Sequence, residues 1–469
     1  MTIRSASASA RVQGPQATFL LLAILFAILW LSGGASRADA LGQSVVRLAA
    51  WGALAAGALI ASRADLRECK PVFWLLLCCV LLPAIQIIPL PPSIWTSMAG
   101  REVFFSSPAT TMVGGQLWMA ISVSPTMTLN ALSSLIVPVA VFFLLSSLGN
   151  KDRFPLLLII ITAAISSTLM GLLQFSGNSF GSPLVNYVSN NVSGNFANRN
   201  HFALFLALGC LATITWSFTR RDGVKWRLPV TVGVILLFSL TILASGSRAG
   251  FVVGLLALLL GPFIVREDIS HMLRRTPRRI RLTSIVVLIA ILSLFIIISI
   301  VSDRAISINR LAMLDVDGDM RSIGLGTVLE IVRSNLPFGS GIGTFDSVFR
   351  IAEPDGLLQV VYFNHAHNDF LEIALEAGIF GLSVLGVALA WWIKASLRVW
   401  RRPTSALPEQ TLGRLGSTMI LLIFLASTVD YPARTPLIMA MITVAACWLA
   451  WGEQATRKAV SLPGDGRSL

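Results

Sequence analysis

The stretch Asn364-His365-Ala366-His367-Asn368-Asp369, followed by the apolar run from Phe370 to Trp392, decides both the fold and the position of a candidate site. An apolar run of this length crosses a bilayer core as a helix. The cluster ahead of it contains two of the chain's four histidines. Because ionisable side chains are costly in hydrocarbon, a group of them at the mouth of a span indicates a functional site.

Similar apolar runs recur along the whole chain. Of its 469 residues, 55% are hydrophobic and 13% are charged, whereas soluble domains carry roughly 25% charged residues. The sequence therefore predicts an all-α integral membrane protein with about twelve transmembrane helices. The predicted spans are 17–33, 42–62, 71–90, 127–148, 154–175, 201–219, 229–245, 250–265, 282–302, 369–393, 412–430 and 435–452.

The basic side chains are divided unevenly between the two sides of this arrangement. One side holds 25 of the 36 Lys and Arg, including all five lysines, in the termini and the loops at 63–70, 149–153, 220–227, 266–281 and 394–414. The other 11 are all arginine. This is the positive-inside pattern, which predicts that both termini are cytoplasmic. Orientation and attraction to anionic membrane lipids explain the net charge of +13, so we expect no nucleic-acid partner.

The spans divide the chain into five parts. Residues 1–16 form a cytoplasmic N-terminus, 17–302 carry helices one to nine, and 303–368 form a large outer loop that ends in the histidine cluster. Residues 369–452 carry the last three helices, and 453–469 form a cytoplasmic tail. Within the outer loop, residues 321–335 predict an amphipathic helix at the membrane surface. Its apolar face consists of Ile323, Leu325, Val328, Leu329 and Val332.

Two other outer patterns have simpler interpretations. The acidic run Asp315-Val316-Asp317-Gly318-Asp319 resembles a calcium loop, but Gly326 stands where the bidentate Glu should be. We therefore expect a solvated turn. Trp95 and Trp118, in the outer segment 91–126, are of the residue type that favours the membrane interface.

His367 is the candidate general base, since a neutral imidazole can accept a proton from a sugar hydroxyl near neutral pH. Asp369 or Glu376 are candidates to orient it. Two alternatives remain open. His365 and His367 can cap the helix or pair with lipid headgroups. They can also bind a metal, whose remaining ligands would have to come from His201, Asp346, Asp355 or the acidic run. We expect neither a metal nor a cofactor.

The few arginines on the outer side are candidates for binding an anion. Arg248 lies in the short Gly246-Ser247-Arg248-Ala249-Gly250 turn between two spans. Arg199, Arg321 and Arg434 lie at other outer span ends or in the outer loop. A guanidinium retains its charge and matches phosphate oxygens in pairs, which suits a diphosphate on a lipid tail. The alternative is that each arginine reaches lipid headgroups or caps a helix.

These residues give the chain a family resemblance. A histidine, then Asn, Ser or Gln, nine residues and Gly-x-x-Gly mark the O-antigen ligase and polymerase superfamily of bacterial envelope enzymes. Here His367-Asn368 is followed, after nine residues, by Gly378-Ile379-Phe380-Gly381. Five other parts of the chain also resemble the family: Arg321, Pro337-Phe338-Gly339, Gly341 to Phe345, Ser247 to Gly250 and Asn198-Arg199-Asn200-His201.

The resemblance implies a metal-independent, GT-C-like glycosyltransferase of the bacterial inner membrane with a periplasmic active site. Its donor would be a polysaccharide on undecaprenyl diphosphate, and its acceptor lipid A–core or a second lipid-linked glycan. On this basis His367 would deprotonate the acceptor, and Arg248 and Arg321 would hold the diphosphate. We expect further contacts with the substrate from Arg199, His201, His365, Asn368, Asp369 and Arg434. The resemblance gives His365 no individual role.

The acceptor decides between several outcomes that share this chemistry. We favour an O-antigen ligase, with an O-antigen or exopolysaccharide polymerase as the alternative. A protein O-oligosaccharyltransferase is a third possibility. From another class, a lipid-linked oligosaccharide flippase or transporter would need ionisable or broken-helix sites near mid-membrane. The spans are nearly free of charge except for Glu372 and Glu376, close to the outer mouth, which argues against transport.

Overall fold

The computed structural model describes residues 4–60, 64–105, 118–177, 181–185, 192–218, 224–275, 293, 297, 316–358, 363–401 and 408–461. The regular secondary structure of these residues is almost entirely helical, which confirms the predicted all-α class. The described residues contain one small antiparallel sheet. It pairs Pro89–Leu90 (β1) with Met119–Ala120 (β2), with Pro89 opposite Ala120.

The helices are numbered in chain order. The first eight are α1 (Arg4–Ser32), α2 (Leu41–Ile60), α3 (Lys70–Gln86), α4 (Pro92–Trp95), α5 (Glu102–Phe105), α6 (Pro125–Ser134), α7 (Ile136–Ser146) and α8 (Leu156–Phe175). The others are α9 (Arg199–Ser217), α10 (Val224–Ala244), α11 (Arg248–Ile264), α12 (Arg266–Arg275), α13 (Val316–Asn335), α14 (Phe345–Ala352), α15 (Asp369–Trp400), α16 (Pro408–Ser427) and α17 (Pro436–Ser461). Short 3-10 turns occupy Asn150–Asp152, Asp355–Leu357 and Pro432–Arg434.

Helices cover eleven of the twelve predicted spans. Within the described residues, eight helical segments are long and apolar enough to cross a membrane, and a ninth is the pair α11–α12, bent by 67°. Helices α1 and α3 add the shorter apolar segments Gln16–Ser32 and Lys70–Gln86. The predicted span 282–302 lies outside the described residues except for 293 and 297. A multi-pass membrane protein is thus confirmed, whereas the number of twelve stays a prediction.

Helices α9, α16 and α17 form the most buried part of the bundle. Glycines allow α16 and α17 to approach closely: a Cβ at Gly416 would lie 2.2 Å from the carbonyl oxygen of Ala445. On the same interface Gly413 faces Gly452, where a Cβ on either would meet the other's Cα. Because lipid provides no hydrophobic drive between helices, this close packing holds the pair together.

Helix α15 is broken at Gly378, the first glycine of the Gly-x-x-Gly motif. Its φ of 57° and ψ of −146° are not helical. The break frees two carbonyl groups, and the segment after Pro337 binds them. Ser340 N–H donates to Leu375 O and Gly341 N–H donates to Glu376 O, both at 2.9 Å. The first half of α15 is thereby fixed against the outer loop.

Helix α13 confirms the predicted amphipathic helix but begins earlier. It starts at Val316, so residues 316–319 are helical and the prediction of a solvated turn is wrong for them. Val328 and Val332 belong to a core cluster with Phe345, Phe349 and Phe363. Part of the face that we predicted for the membrane surface is therefore covered by protein, because the outer loop has a small hydrophobic core of its own. Leu325 and Leu329 remain exposed.

The tryptophans of the outer segment 91–126 differ from each other. Trp95 is buried, and its indole N–H donates to Ala120 O at 2.7 Å. Trp95 is therefore covered by protein, since the adjacent β1–β2 pair brings a protein acceptor to it, and its place relative to the membrane interface stays a prediction. Trp118 is exposed.

Loops that the charge distribution places on one side contact one another. Among the loops predicted to be cytoplasmic, Glu68 pairs with Arg153 and Lys458, and Arg414 pairs with Glu267 at 2.8 Å. Among the outer segments, Leu437 N–H donates to Gly33 O at 3.1 Å. The grouping agrees with alternation of the spans, while the cytoplasmic orientation of the termini stays a prediction.

We expect Gly378→Ala to destabilise the protein. The backbone conformation is one that essentially only glycine adopts, at a cost of roughly 1–3 kcal/mol for other residues. A Cβ would also lie 2.1 Å from Pro337 O. The measurement is the unfolding temperature of the purified chain in detergent. Gly386→Ala, also in α15, is the matched control, because nothing lies within 4 Å of an added Cβ there. Equal unfolding temperatures for the two variants would contradict the prediction.

Candidate active site

His367 lies in the loop immediately before helix α15, in a left-handed backbone conformation with φ of 49°. Asn368 caps the helix: its side-chain oxygen accepts hydrogen bonds from the N–H groups of Phe370 and Leu371, at 3.0 and 3.1 Å. Asparagine suits this position because its side chain replaces the missing helical acceptor. The amide of Asn368 also donates to Thr428 O at 2.9 Å, which joins the loop to the end of α16.

The imidazole of His367 faces the carboxylate of Asp430, in the turn between α16 and α17. Its Nδ1 lies 3.5 Å from Asp430 Oδ1, which is too long for a good hydrogen bond but close enough for strong electrostatic interaction. The His367 side chain is 19% exposed and that of Asp430 only 2%. A buried anion therefore lies beside a partly accessible imidazole.

Asp430 is held by groups from the start of α9. Asn200 and Asn198 donate to its Oδ2 at 2.6 and 3.0 Å. His201 Nε2 lies 3.7 Å from its Oδ1, and the Nδ1 of that ring is bonded to Thr435 Oγ1 at 3.0 Å. Burial acts to raise the pKa of Asp430, but His201 and His367 outweigh it and hold the pKa well below its ordinary value. Asp430 is consequently an anion at neutral pH.

Three of the four histidines surround one aromatic ring. The ring of Tyr431 lies 4.1 Å from that of His365, 5.0 Å from that of His201 and 5.1 Å from that of His367, measured between centroids. Because Tyr431 is buried, it serves as a packing centre. It fixes the spacing between the loop that carries His367 and the network around Asp430.

Arg434 lies among three buried carboxylates on the first half of α15. Its Nη2 is 2.9 Å from Glu376 Oε2, and its Nε is 3.1 Å from Glu372 Oε1 and 3.7 Å from Asp369 Oδ1. Burial acts to lower the pKa of Arg434, but the carboxylates outweigh it and raise the pKa above its ordinary value. Asp369 also accepts from Ser427 Oγ at 2.7 Å. Arg434 and Asp369, which we expected to contact substrate, thus have protein partners.

Arg248 is the first residue of α11 and is exposed. Ser247 caps this helix by accepting from Gly250 N–H at 2.8 Å, and its hydroxyl donates to Asn200 Oδ1 at 2.6 Å. Asn200 in turn donates to Asp430, so hydrogen bonds link the Arg248 turn to the carboxylate that faces His367. Arg199 is half-buried at the start of α9. Arg321 lies in α13, and its side chain is outside the described residues.

A small pocket adjoins this network. Its polar lining comes from Asn200, His201 and Asp430, and its apolar lining includes Leu204 and Val253. Ala249 and Gly250, directly after Arg248, also line the pocket.

The sequence reasoning missed two carboxylates that matter to this geometry. Asp430 was not singled out, although a lone acidic residue in an apolar turn between two spans is a signal for a functional group. Glu372 was noted only as a charge near the outer mouth. It accepts from His365 Nδ1 at 2.8 Å. Among the described residues, no group of three or more His, Cys, Asp or Glu is arranged to hold a metal ion.

Comparison with protein families gives a match to part of the chain. No curated protein matches the chain. Residues 233–386, about a third of the chain, match the family model described as O-antigen ligase. The matched segment contains Arg248, Arg321, His367 and the glycines at 378 and 381, whereas Asp430 and its partners at the start of α9 lie outside it. The motif and the family match agree, and both support the O-antigen ligase and polymerase superfamily for the matched segment.

Proposed function

We propose that the chain is an O-antigen ligase, which transfers a polysaccharide from undecaprenyl diphosphate to lipid A–core at the periplasmic face. The family supports a ligase- or polymerase-like activity on lipid-linked glycans. The observation that carries the proposal is the single network in which His367 meets Asp430 while Asn200 binds both Asp430 and the Arg248 turn.

His367 acts as the general base. Its Nδ1 faces Asp430, which leaves Nε2 to accept the proton of the acceptor hydroxyl. A buried carboxylate beside an imidazole stabilises the imidazolium that forms and fixes the orientation of the ring. The distance of 3.5 Å is long, as catalytic contacts often are before substrate binds.

Arg248 stabilises the leaving group. The guanidinium matches diphosphate oxygens in pairs, and it stands at the N-terminus of α11, where the helix dipole adds positive potential. Fixed positive charge is most effective where negative charge develops, which here is the departing diphosphate. Arg321 is assigned the same role from the family resemblance.

The reaction is a direct displacement. The acceptor oxygen forms a bond to the anomeric carbon, and the bond from that carbon to the diphosphate oxygen breaks. The electron pair leaves with the lipid diphosphate, and the acceptor proton passes to His367. One displacement inverts the anomeric configuration. No bound metal or cofactor takes part in this scheme.

We expect His367→Ala and Arg248→Ala each to abolish transfer while leaving membrane insertion intact. The first removes the base and the second removes the charge that meets the leaving group. The assay is complementation of a deletion strain, with protein level measured by immunoblot. Arg248→Lys keeps the charge but loses the paired geometry, so we expect at most about a tenth of the activity.

The matched controls are His271→Ala and Arg333→Ala, which alter exposed residues on α12 and α13. Both should retain normal activity. Normal product with either His367→Ala or Arg248→Ala would refute the mechanism, and normal product with His367→Ala would favour a transporter.

We expect Asp430→Asn to lower kcat at least about 100-fold with KM for the donor within about threefold. The change removes the negative charge that stabilises the imidazolium, and a comparable change in a catalytic triad costs more. Rates are measured on the purified chain in nanodiscs, with Asp355→Asn, an exposed position, as control. A kcat equal to that of the control would remove Asp430 from the mechanism.

Gel electrophoresis of lipopolysaccharide from the deletion strain distinguishes between the possible acceptors. A ligase predicts loss of every core-linked O-chain, because no other step attaches the polymer. Retention of a single core-linked repeat would assign a polymerase instead. Unchanged lipopolysaccharide with loss of a secreted polymer would assign exopolysaccharide synthesis.

A further inference from the structure

The loop that carries His367 needs an external restraint. Its backbone at His367 is left-handed, with φ of 49°, a conformation that residues other than glycine adopt uncommonly. Such conformations persist when surrounding contacts determine them. The cap by Asn368 fixes the residues after His367, so the residues before it must be held by something else.

Glu372 supplies that restraint at two points. One carboxylate oxygen accepts from His365 Nδ1 at 2.8 Å, and the other accepts from the backbone N–H of Ala366 at 3.0 Å. Glu372 is completely buried and lies one helical turn after Asn368. It therefore binds both a side chain and the backbone of the loop immediately before His367.

The same carboxylate is connected to the turn that carries Asp430. Arg434 Nε lies 3.1 Å from Glu372 Oε1 and follows Asp430 by four residues. Between the two loops, the Tyr431 ring contacts the rings of His365 and His367. The loop of His367 and the turn of Asp430 are consequently fixed to a common ion pair.

We propose that Glu372 is a positioning residue that keeps His367 beside Asp430, with His365 as the side chain through which it acts. This inference rests on the proposed role of His367 as the base. It gives a function to His365, which lies two residues before the base and has one ring nitrogen hydrogen-bonded to a buried carboxylate.

The test is steady-state kinetics of Glu372→Gln in nanodiscs. The donor is a polyprenyl-diphosphate-linked O-antigen, and the acceptor is purified lipid A–core. An amide has one acceptor oxygen where the carboxylate has two, so it cannot hold both donors. We expect kcat to fall at least tenfold with KM for the donor within about threefold. Glu330→Gln, at an exposed position on α13, is the matched control.

A second pair of variants keeps the test decisive if Glu372→Gln folds poorly. In His365→Asn the amide nitrogen can take the place of the ring Nδ1 and donate to Glu372, whereas in His365→Leu no donor remains. We expect His365→Asn to be at least tenfold more active than His365→Leu. The double variant Glu372→Gln/His365→Leu should be no slower than the slower single variant, because the contact that His365→Leu removes is one of the two that Glu372→Gln disturbs.

Equal activity of His365→Asn and His365→Leu would overturn the proposal, as would a kcat for folded Glu372→Gln equal to that of Glu330→Gln. Either result together with inactive His367→Ala would leave the proposed function standing. Full activity of His367→Ala would instead refute the proposed function, and this inference with it.

Discussion

The geometry of the site depends on how two peptide carbonyls are satisfied at the break in helix α15. Polar backbone at membrane depth needs a protein partner or water, and the segment after Pro337 provides one through the N–H groups of Ser340 and Gly341. Gly378 makes the break possible and lets the segment approach. The first half of α15 is thus held at its start by the Asn368 cap and at its end by this segment. The fixed interval from histidine to glycine in the motif is the length of that half-helix.

Electrostatic balance is the second constraint. Three buried carboxylates on one half-helix surround Arg434, and one of them, Glu372, also accepts a hydrogen bond from the imidazole of His365. Buried ion pairs contribute little net stability but are costly when one partner is removed. The cluster is therefore better explained as a device that specifies the relative position of two loops than as a source of stability. Asp430 does not belong to this cluster. In the loop before α15, it faces His367.

The sequence predicted the features that depend on local pattern. Apolar runs located eleven helical segments, and the motif located His367 and the glycine at the break. What it could not predict depends on contacts between distant segments. Asp430 lies 63 residues after His367 and meets it only because α15 and α16 return the chain to the same side. The burial of Trp95 and of one face of α13 likewise required knowing which outer segments pack together. Arg434 was expected to meet a substrate anion, because the acidic residues opposite it are not recognisable as its partners from spacing.

The break in α15 also determines how far His367 stands from the hydrocarbon core of the membrane. The nine residues from Asp369 to Ala377 span about 14 Å at the usual helical rise, and residues beyond the break, from Ile379 onward, begin the exposed apolar surface. The remaining 22 residues to Trp400 are about 33 Å long, enough to cross the hydrocarbon core. The imidazole of His367 would then stand about 14 Å above the hydrocarbon, which is roughly twice the thickness of one headgroup layer. The transfer that we propose would then take place outside the hydrocarbon, where a carrier whose tail remains in the bilayer could present its first sugar.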